Sequence, residues 1–435
     1  MPVEFPTDQD VAELLPPVEF PTLYEVRQEP EAPTVDDPEA IAREEVGRLP
    51  LDELDAGATV AVGLGSRGIT DVVAVAQGVV SELQDRGFEV VAMPAMGSHG
   101  GASAEGQRET LAALGMDEET LDCPVDARME TSVLGTSELG NEVHFADAAL
   151  EADAVLVVNR VKAHTNFSGT FESGLTKMSC IGLGKQSGAQ AIHERSIVDG
   201  YEETLRATFE VIREHVDHLG GVAIVENFYD ETAEIRAIPV EDLPDGEGPL
   251  LERSYEYMPT LPYDEIDVLV VDELGKDVSG AGMDPNVVGR FNLINMEDPE
   301  YPDVKRIYVR GLTEATHGNG MGIGNADVTT VDVAESIDYQ QVYANAITSG
   351  SIEKAAIPMA VETEELAFAV AISTMGAWDP ETVRMAWIEN TGHLADLTVS
   401  EALAEEARDR DDLVVGRALS LGFDDDGDPV LEQAD

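Results

Sequence analysis

An alternation of short apolar strands and amphipathic helices constrains the fold of this chain more than any other feature. Apolar runs at residues 59–62 and 89–94 each lead through a glycine-rich loop into a helical pattern, at residues 71–86 and 103–114. A third apolar run, at residues 154–158, also ends in a polar loop. Strands that alternate with helices build βαβ units, whose strands lie parallel in one sheet. The sequence therefore predicts an α/β fold with a parallel sheet.

The length of 435 residues favours more than one domain. We expect two α/β domains, with the loops at the carboxyl ends of the first domain's strands forming an interdomain cleft. Proline- and acid-rich residues 238–262 are interpreted as a linker, and the apolar run 366–372 as a strand. The predicted segments are an N-terminal arm or edge strand at 1–40, a catalytic α/β domain at 41–258, a second α/β domain at 259–398, and a C-terminal helix and hairpin at 399–435 that pack back on the first domain.

The charge balance limits the class of partner. The chain carries 87 Asp and Glu against 26 Lys and Arg, a formal net charge of −61. We interpret this as a folded protein of a salt-rich, haloarchaeal-like cytoplasm, where salt screens the self-repulsion. Such a surface makes nucleic acids and anionic membranes poor partners. The two cysteines form no disulfide framework, and no apolar run or N-terminal leader predicts a membrane span or a signal peptide.

One stretch, residues 154–193, departs from this acidic composition. It holds a single acid, Glu172, although about one residue in five of the whole chain is acidic. It also holds half of the lysines of the whole chain, together with two histidines. Its basic side chains are Arg160, Lys162, His164, Lys177, Lys185 and His193. A buried core segment would lack acids too, but unpaired buried cations are costly. The composition favours a pocket that binds an anion and acts on it.

Three polar side chains follow the three predicted strands. Arg67 comes after the first strand, His99 after the second and His164 after the third. Ligands of open parallel sheets bind at the carboxyl ends of the strands. We therefore expect these three side chains to converge on one crevice.

The loop after the first strand matches G-x-G-x-x-G with Gly63, Gly65 and Gly68, between a strand and a helix. This is the context of a dinucleotide fingerprint, so an NAD-type dehydrogenase is one alternative function. However, the next strand ends at Pro94 without the acid that binds a ribose. A phosphate or carboxylate at the helix N-terminus, with Arg67 completing the charge, is the favoured interpretation.

The centre of the acid-poor stretch combines a lysine with a histidine. Ser173 is predicted to cap a helix in which Lys177 lies one turn from the start. A lysine at a helix N-terminus near other cations suits covalent attachment or anion binding, and Lys185 is a rival for this role. His193 lies on a predicted helix and suits metal ligation through a neutral imidazole. A purely structural role for His193 is an equal alternative.

These residues recur at a characteristic spacing. The set comprises His164, Ser173-Gly174-x-x-Lys177, Gly182 and His193, with Gly97-Ser98-His99 upstream. It resembles the signature of the nickel-pincer lactate racemase family. The resemblance covers most of residues 50–230 and continues more weakly through Gly275-Lys276-Asp277 and residues 282–286.

The resemblance implies a cofactor and a role for each residue. The cofactor is a pyridinium mononucleotide that holds nickel in an S–C–S pincer, bound covalently by Lys177 as a thioamide. By resemblance His193 is the protein ligand to nickel, and His99 and His164 are the acid/base pair on the two faces of the substrate. Arg67 matches the arginine that positions the substrate carboxylate, and Ser173 joins the cofactor-binding residues.

The implied reaction is the racemisation or epimerisation of a 2-hydroxy acid, lactate-like or larger, by proton-coupled hydride transfer. The implied partners are this small molecule and the proteins that build the cofactor. The chain departs from the family in its first loop, Leu64–Gly68, and at Val288-Gly289-Arg290, where a lysine is missing. Arg290 is a candidate to replace that lysine as a carboxylate anchor. A non-catalytic carrier of the pincer nucleotide is the second alternative.

Overall fold

The computed structural model describes residues 5–65, 68–294 and 296–434. The chain is mixed α/β and divides into two compact units. The first unit is Glu31–Met258, and the second combines the residues up to Pro30 with those from Pro259 onward. The prediction of a two-domain α/β fold is confirmed.

A five-stranded sheet forms the centre of the first unit. Its first four strands in spatial order are parallel and the fifth is antiparallel. The strands in this order are Glu89–Pro94, Thr59–Leu64, Ala154–Arg160, His218–Glu226 and Thr232–Pro239. A separate antiparallel pair consists of Thr131–Thr136 and Glu142–Ala146.

The helix Val72–Asp85 packs on this sheet with one apolar face. In the helix Val72–Asp85, Val75, Val79 and Leu83 are buried at a spacing of four residues, which places them on one side. Gly87 follows this helix with a φ of 88°, a left-handed conformation that favours glycine. The other α-helices are Pro38–Val46, Ala104–Ala113, Glu118–Leu121, Asp147–Leu150, Leu175–Lys177, Lys185–Asp199, Tyr201–His215 and Gly248–Tyr257; shorter turns are the 3-10 segments Leu51–Glu53, Gly100–Ala102, Val240–Asp242 and Asp245–Glu247 and the π segment Met178–Gly182.

The strand order locates the crevice where a ligand is expected. The chain runs from Thr59–Leu64 to Glu89–Pro94 on one side, and then crosses to Ala154–Arg160 on the other side. Such a reversal is a topological switch point, and the carboxyl ends of the two diverging strands leave a crevice there. In the first unit this crevice lies beyond Leu64 and Arg160.

The second unit contains a nine-stranded sheet. Its first five strands in spatial order pair in parallel and the remaining ones pair antiparallel. The strands are Met359–Val361, Val328–Thr330, Asp303–Val309, Glu265–Val271, Met385–Ile388, Asp396–Ser400, Leu23–Gln28, Leu413–Phe423 and Pro429–Gln433. The α-helices are Asp8–Ala12, Pro285–Val288, Val331–Ser336, Tyr339–Ser349, Glu364–Ser373 and Glu401–Arg408, with 3-10 turns at Glu314–Thr316, Ile323–Asn325 and Ile352–Ala355.

The structure corrects the predicted role of both chain ends. Within the segment predicted as an arm or edge strand, Leu23–Gln28 is an inner strand, paired with Asp396–Ser400 on one side and Leu413–Phe423 on the other. The C-terminal hairpin, which was predicted to pack on the first domain, therefore belongs to the second unit. Pairing between strands so distant in the chain leaves no local sequence signal. The predicted turn at Gly427 is confirmed, since Gly427 has a φ of 82° between the hairpin strands.

Two secondary-structure predictions are also wrong. The expected linker 238–262 contains the end of a strand and the helix Gly248–Tyr257, which buries Leu250 and Leu251. The expected strand 366–372 is part of the helix Glu364–Ser373, which is buried from Ala367 through Ile372. A short apolar run that is buried on all sides lacks the periodicity that separates helix from strand. No helix within the described ranges combines the length and the apolar character needed to span a bilayer.

Candidate active site

The two loops at the switch point lie close together around Asn159. A Cβ atom added to Gly65 would be 2.7 Å from Asn159 Oδ1, so the approach requires glycine. Asn159 Nδ2 also donates to the carbonyl oxygen of Gly174 at 3.3 Å. Asn159 thus connects the loop after the first strand to the segment that precedes Lys177.

A carboxylate of the chain lies just before the helix that follows the glycine-rich loop. The backbone N–H of Thr70 donates to Glu226 Oε1 at 2.6 Å, and Arg160 forms an ion pair with the same carboxylate. Thr70 precedes Asp71, the N-cap residue of the helix Val72–Asp85. Glu226 thus connects the entry to this helix with Arg160, at the end of a neighbouring strand. Arg67, the predicted substrate arginine, lies outside the described residues.

The loop that carries His99 packs against the turn that follows Lys177. The N–H of Gly97 donates to the carbonyl oxygen of Gly182 at 3.1 Å. A Cβ on Gly97, whose φ is 56°, would be 3.2 Å from the side chain of Ile181. His99 itself is exposed and precedes a 3-10 turn. The Lys177 segment and the His99 loop therefore form one packed surface at the carboxyl edge of the sheet.

A buried polar pair, Gln107 and Lys185, holds the His99 loop in place. Gln107 Nε2 donates to the carbonyl oxygens of Gly97 at 2.8 Å and of His99 at 3.3 Å. Lys185 Nζ donates to Gln107 Oε1 at 3.1 Å and to the carbonyl oxygen of Pro94 at 2.7 Å. Burial lowers the pKa of Lys185 to about 8. These contacts give Lys185 a structural role, which leaves Lys177 as the favoured residue for cofactor attachment. The sequence analysis did not identify Gln107, because nothing in its neighbouring sequence distinguishes it.

A buried carboxylate, Glu172, organises the loop that carries His164. Glu172 is 2% exposed and accepts hydrogen bonds from the backbone N–H of His164, from that of Gly169 at 3.1 Å and from Tyr255 Oη at 2.8 Å. Burial raises the pKa of Glu172 to about 7, although these hydrogen bonds oppose the shift. The sequence marked Glu172 only as the one acid of its stretch, and its function as a loop anchor depends on distant Tyr255.

The imidazole of His164 is oriented by its own loop. Its Nδ1 atom accepts a hydrogen bond from the backbone N–H of Asn166 at 3.0 Å. A neutral imidazole that accepts at Nδ1 carries its proton on Nε2. The loop therefore selects the tautomer in which His164 presents an N–H at Nε2.

An aromatic residue, Tyr201, joins the two histidines that the sequence assigned to different roles. Tyr201 Oη lies 3.0 Å from His193 Nδ1, and the two ring centroids are 5.9 Å apart. The ring of His164 is 6.0 Å from that of Tyr201, and Phe167 stacks on Tyr201 at 5.0 Å. His164, Phe167, His193 and Tyr201 form what we call the histidine–tyrosine cluster. The only sequence signal for Tyr201 is its position directly after the glycine that separates two helices.

The electrostatics of this cluster keep His193 neutral. Burial, and to a smaller extent the positive charge of Lys177, lower the pKa of His193 to about 4. Burial raises the pKa of Tyr201 to about 12, so its phenol stays protonated and can either donate or accept. If His193 donates from Nδ1 to Tyr201, its Nε2 lone pair is available to a metal ion. Lys177 and His193 are thus close enough to interact electrostatically.

The short helix that contains Lys177 is capped by a distant residue. Buried Glu247 accepts hydrogen bonds from the backbone N–H groups of Leu175 and Thr176, and a Cβ on Gly174 would collide with its carboxylate. Burial raises the pKa of Glu247 to about 7. The prediction that Ser173 caps this helix is wrong: Gly174 is the N-cap residue, and the Glu247 carboxylate accepts the N–H groups that a capping side chain would bind. Ser173 instead accepts a hydrogen bond from Lys177 Nζ at 3.4 Å through its Oγ atom.

Arg290 is committed to structural contacts inside the second unit. Its guanidinium pairs with Asp327 at 2.8 Å and donates to the carbonyl oxygens of Asn325, Val304 and Lys305. These contacts join the loop after Gly289 to the sheet of its unit. The predicted role of Arg290 as a carboxylate anchor finds no support in this arrangement.

The residues that the structure brings together are therefore Ser173, Lys177, His164 and His193. Within the described ranges no group of three or more His, Cys, Asp or Glu side chains is placed to hold a metal ion. A metal ion at His193 would take its other donors from a bound cofactor or a substrate. No protein-family model matches the chain, and no curated protein matches it.

Proposed function

We propose that the protein racemises or epimerises a 2-hydroxy acid with a nickel-pincer nucleotide bound beside Lys177 and His193. One observation carries the proposal: His193, next to the charge of Lys177, shares Tyr201 with His164. It supports the proposal because two imidazoles share one phenol and a lysine amine is near one of them, as a metal ligand, an acid/base residue and an attachment site would require. The excess of acids further supports a salt-rich cytoplasm as the compartment.

The donors that are present fit this cofactor. An imidazole is a good ligand for nickel, and His193 is kept neutral as ligation requires. Lys177 Nζ donates a hydrogen bond to Ser173 Oγ, so both side chains lie on the same side of the short helix. A pincer that brings its own donors needs only one protein ligand. When bound, this group supplies the acceptor for a hydride from the substrate carbon.

The protein residues move the proton of the substrate hydroxyl. His99 and His164 follow the strands Glu89–Pro94 and Ala154–Arg160, which flank Thr59–Leu64 on opposite sides. A racemase needs one acid/base group on each face of the reacting carbon. With its Nδ1 accepting from Asn166, neutral His164 presents its Nε2–H as a hydrogen-bond donor to a substrate oxygen. His99 then takes the hydroxyl proton as a neutral base. For the other enantiomer His164 is the base only when its own proton lies on Nδ1, where it no longer accepts from Asn166.

The proposal is tested by mass and metal analysis of protein purified from its own organism, or produced together with the cofactor-biosynthesis proteins. We expect a covalent adduct and bound nickel, both lost in Lys177→Ala. Lys185→Arg is the control, and it is expected to keep the adduct because it retains the buried cation. An adduct that persists in Lys177→Ala would show that the attachment site is elsewhere.

Activity is tested by following inversion at Cα of 2-hydroxy acids that carry deuterium on that carbon. In the loaded wild type we expect inversion with the label retained, because the hydride returns to the carbon that it left. We expect no inversion in His99→Gln or His164→Gln, which should retain nickel. Bound nickel without inversion of any 2-hydroxy acid would support a carrier instead. Tight binding of NAD(H) in a fluorescence titration would overturn the proposal in favour of a dehydrogenase.

A further inference from the structure

Residues 339–361 of the second unit form a surface unlike the rest of the chain. The segment contains one acid, Glu353, whereas 87 of all 435 residues are acidic. It is nevertheless exposed: five large apolar side chains are between 47% and 74% accessible to solvent. They are Tyr343, Ile347, Ile352, Ile357 and Met359, which we call the 343–359 patch.

The side chains of this patch lie on neighbouring elements. Tyr343 and Ile347 are four residues apart on the helix Tyr339–Ser349, whose buried face carries Val342 and Ala346. The N–H of Ser351 donates to the carbonyl oxygen of Ala346 at 3.0 Å, which holds the following 3-10 turn against the helix. The strand that begins with Met359 stands at one end of the sheet order. The patch therefore lies at an outer edge of the second unit's sheet.

Exposed apolar side chains in one place are costly for a chain of this composition. Burying a Leu- or Ile-sized side chain stabilises by about 1.5–3 kcal/mol. Concentrated salts that are excluded from the protein surface strengthen this effect. Contiguous apolar patches on protein surfaces mark contacts with other molecules. A basic partner would be attracted to acids, but residues 339–352 contain no charged side chain. The absence of charge in this segment therefore favours a neutral, apolar partner surface.

We propose that the 343–359 patch is the contact between two copies of this chain, related by a two-fold axis. A two-fold contact places the same surface of both copies together, and an apolar surface without exposed charge meets its own copy without repulsion. Chains with a net charge of −61 repel each other, and they approach most easily where acids are missing. Glu353 and Lys354 are the only charged residues of the segment, and neither is an exposed side chain: Lys354 is buried and Glu353 is half-buried. This inference does not depend on the proposed enzymatic function.

The test is the molar mass of the full chain in concentrated salt, measured by light scattering after size exclusion over a range of protein concentrations. We expect a dimer in the wild type. Ile347→Glu and, separately, Ile352→Glu are expected to weaken dimerisation at least about 100-fold, because each dimer contains the buried charge twice. Both side chains are exposed in the single chain, so circular dichroism should show unchanged folding.

Val414→Glu is the matched control, since Val414 is also half-exposed in the second unit but lies outside the patch. It is expected to remain dimeric. A wild type that is monomeric at every concentration would overturn the proposal, whether the patch binds a different protein or none. A dimer that survives both patch variants would place the contact elsewhere and equally overturn it.

Discussion

The Nδ1 atom of His193 lies 3.0 Å from the hydroxyl oxygen of Tyr201. His193 ends up beside Tyr201 because the helix that carries it stops at Gly200 and the next helix begins at once. The phenol can form a hydrogen bond with this nitrogen in either tautomer, so it fixes the orientation of the imidazole. It therefore connects the sequence-predicted metal ligand to the loop of His164, whose ring is 6.0 Å away.

Replacing Tyr201 with Phe tests this connection. The variant keeps the stacking on Phe167 but removes the hydrogen bond to His193, so the imidazole loses the contact that orients it. We expect nickel affinity to fall about 10- to 100-fold while the adduct on Lys177 remains. Nickel content after dialysis against a chelator measures the first effect, and intact mass the second. Tyr343→Phe, on the exposed patch, should change neither.

The protonation of His193 gives a second expectation. Its pKa is lowered from 6.5 to about 4 by burial and by Lys177, so the ring stays neutral at every pH near neutrality. Folding stability that depends on the neutral ring is complete above about pH 6.5 and is lost as the pH falls towards 4. Histidine NMR signals recorded from about pH 5 to about pH 8 should show no titration for His193. A midpoint near pH 6.5 would contradict the burial of this side chain.

The raised pKa of Glu172 predicts that folding stability changes with pH in the opposite direction. Burial raises its pKa from 4.5 to about 7, so the folded chain holds this proton more tightly than the unfolded chain. The resulting stabilisation is complete below about pH 4.5 and disappears as the pH rises through about 7. Relative to Glu172→Gln, the wild type should lose stability on the order of a few kcal/mol over this range. Denaturant titrations at several pH values measure the difference, and Glu105→Gln, on the surface, should show none.

Gln107→Ala tests the clamp on the His99 loop. The substitution removes the donors to Gly97 and His99 and takes one acceptor from buried Lys185. We expect a loss of about 2–4 kcal/mol in the free energy of unfolding. Hydrogen exchange should accelerate in residues 96–102 but not in residues 164–172. Gln190→Ala, at an exposed helix position, should change the free energy of unfolding by no more than about 0.5 kcal/mol. It should also leave the hydrogen-exchange rates of residues 96–102 unchanged.

Gly174 offers a test of the cap on the Lys177 helix. An alanine there would push its Cβ into the Glu247 carboxylate, which holds the N–H groups of Leu175 and Thr176. We expect Gly174→Ala to destabilise the chain by about 2–4 kcal/mol and to reduce adduct formation at Lys177. Gly68→Ala is the control, since a Cβ there meets nothing within 4 Å. Equal stability of the two variants would show that Glu247 does not cap this helix.

The sequence by itself determined the α/β class, the alternating strands and helices of the first unit and the turn at Gly427. These features have local causes: apolar periodicity, capping residues and glycines with a positive φ. It also concentrated bases and histidines in residues 154–193, which directed attention to His164, Lys177 and His193. Composition sufficed for this, because a segment without acids stands out in a chain of such charge.

Only the tertiary structure decided how these residues are held. Glu247 caps the Lys177 helix from 72 positions further along the chain, and Tyr255 reaches Glu172 from 83 positions away. The strand Leu23–Gln28 likewise pairs with Leu413–Phe423, close to the C-terminal end of the sequence. The partners of a buried polar group are chosen by the packing of the whole unit, because each such group has to be satisfied wherever the fold buries it. No pattern in the neighbouring residues records that choice.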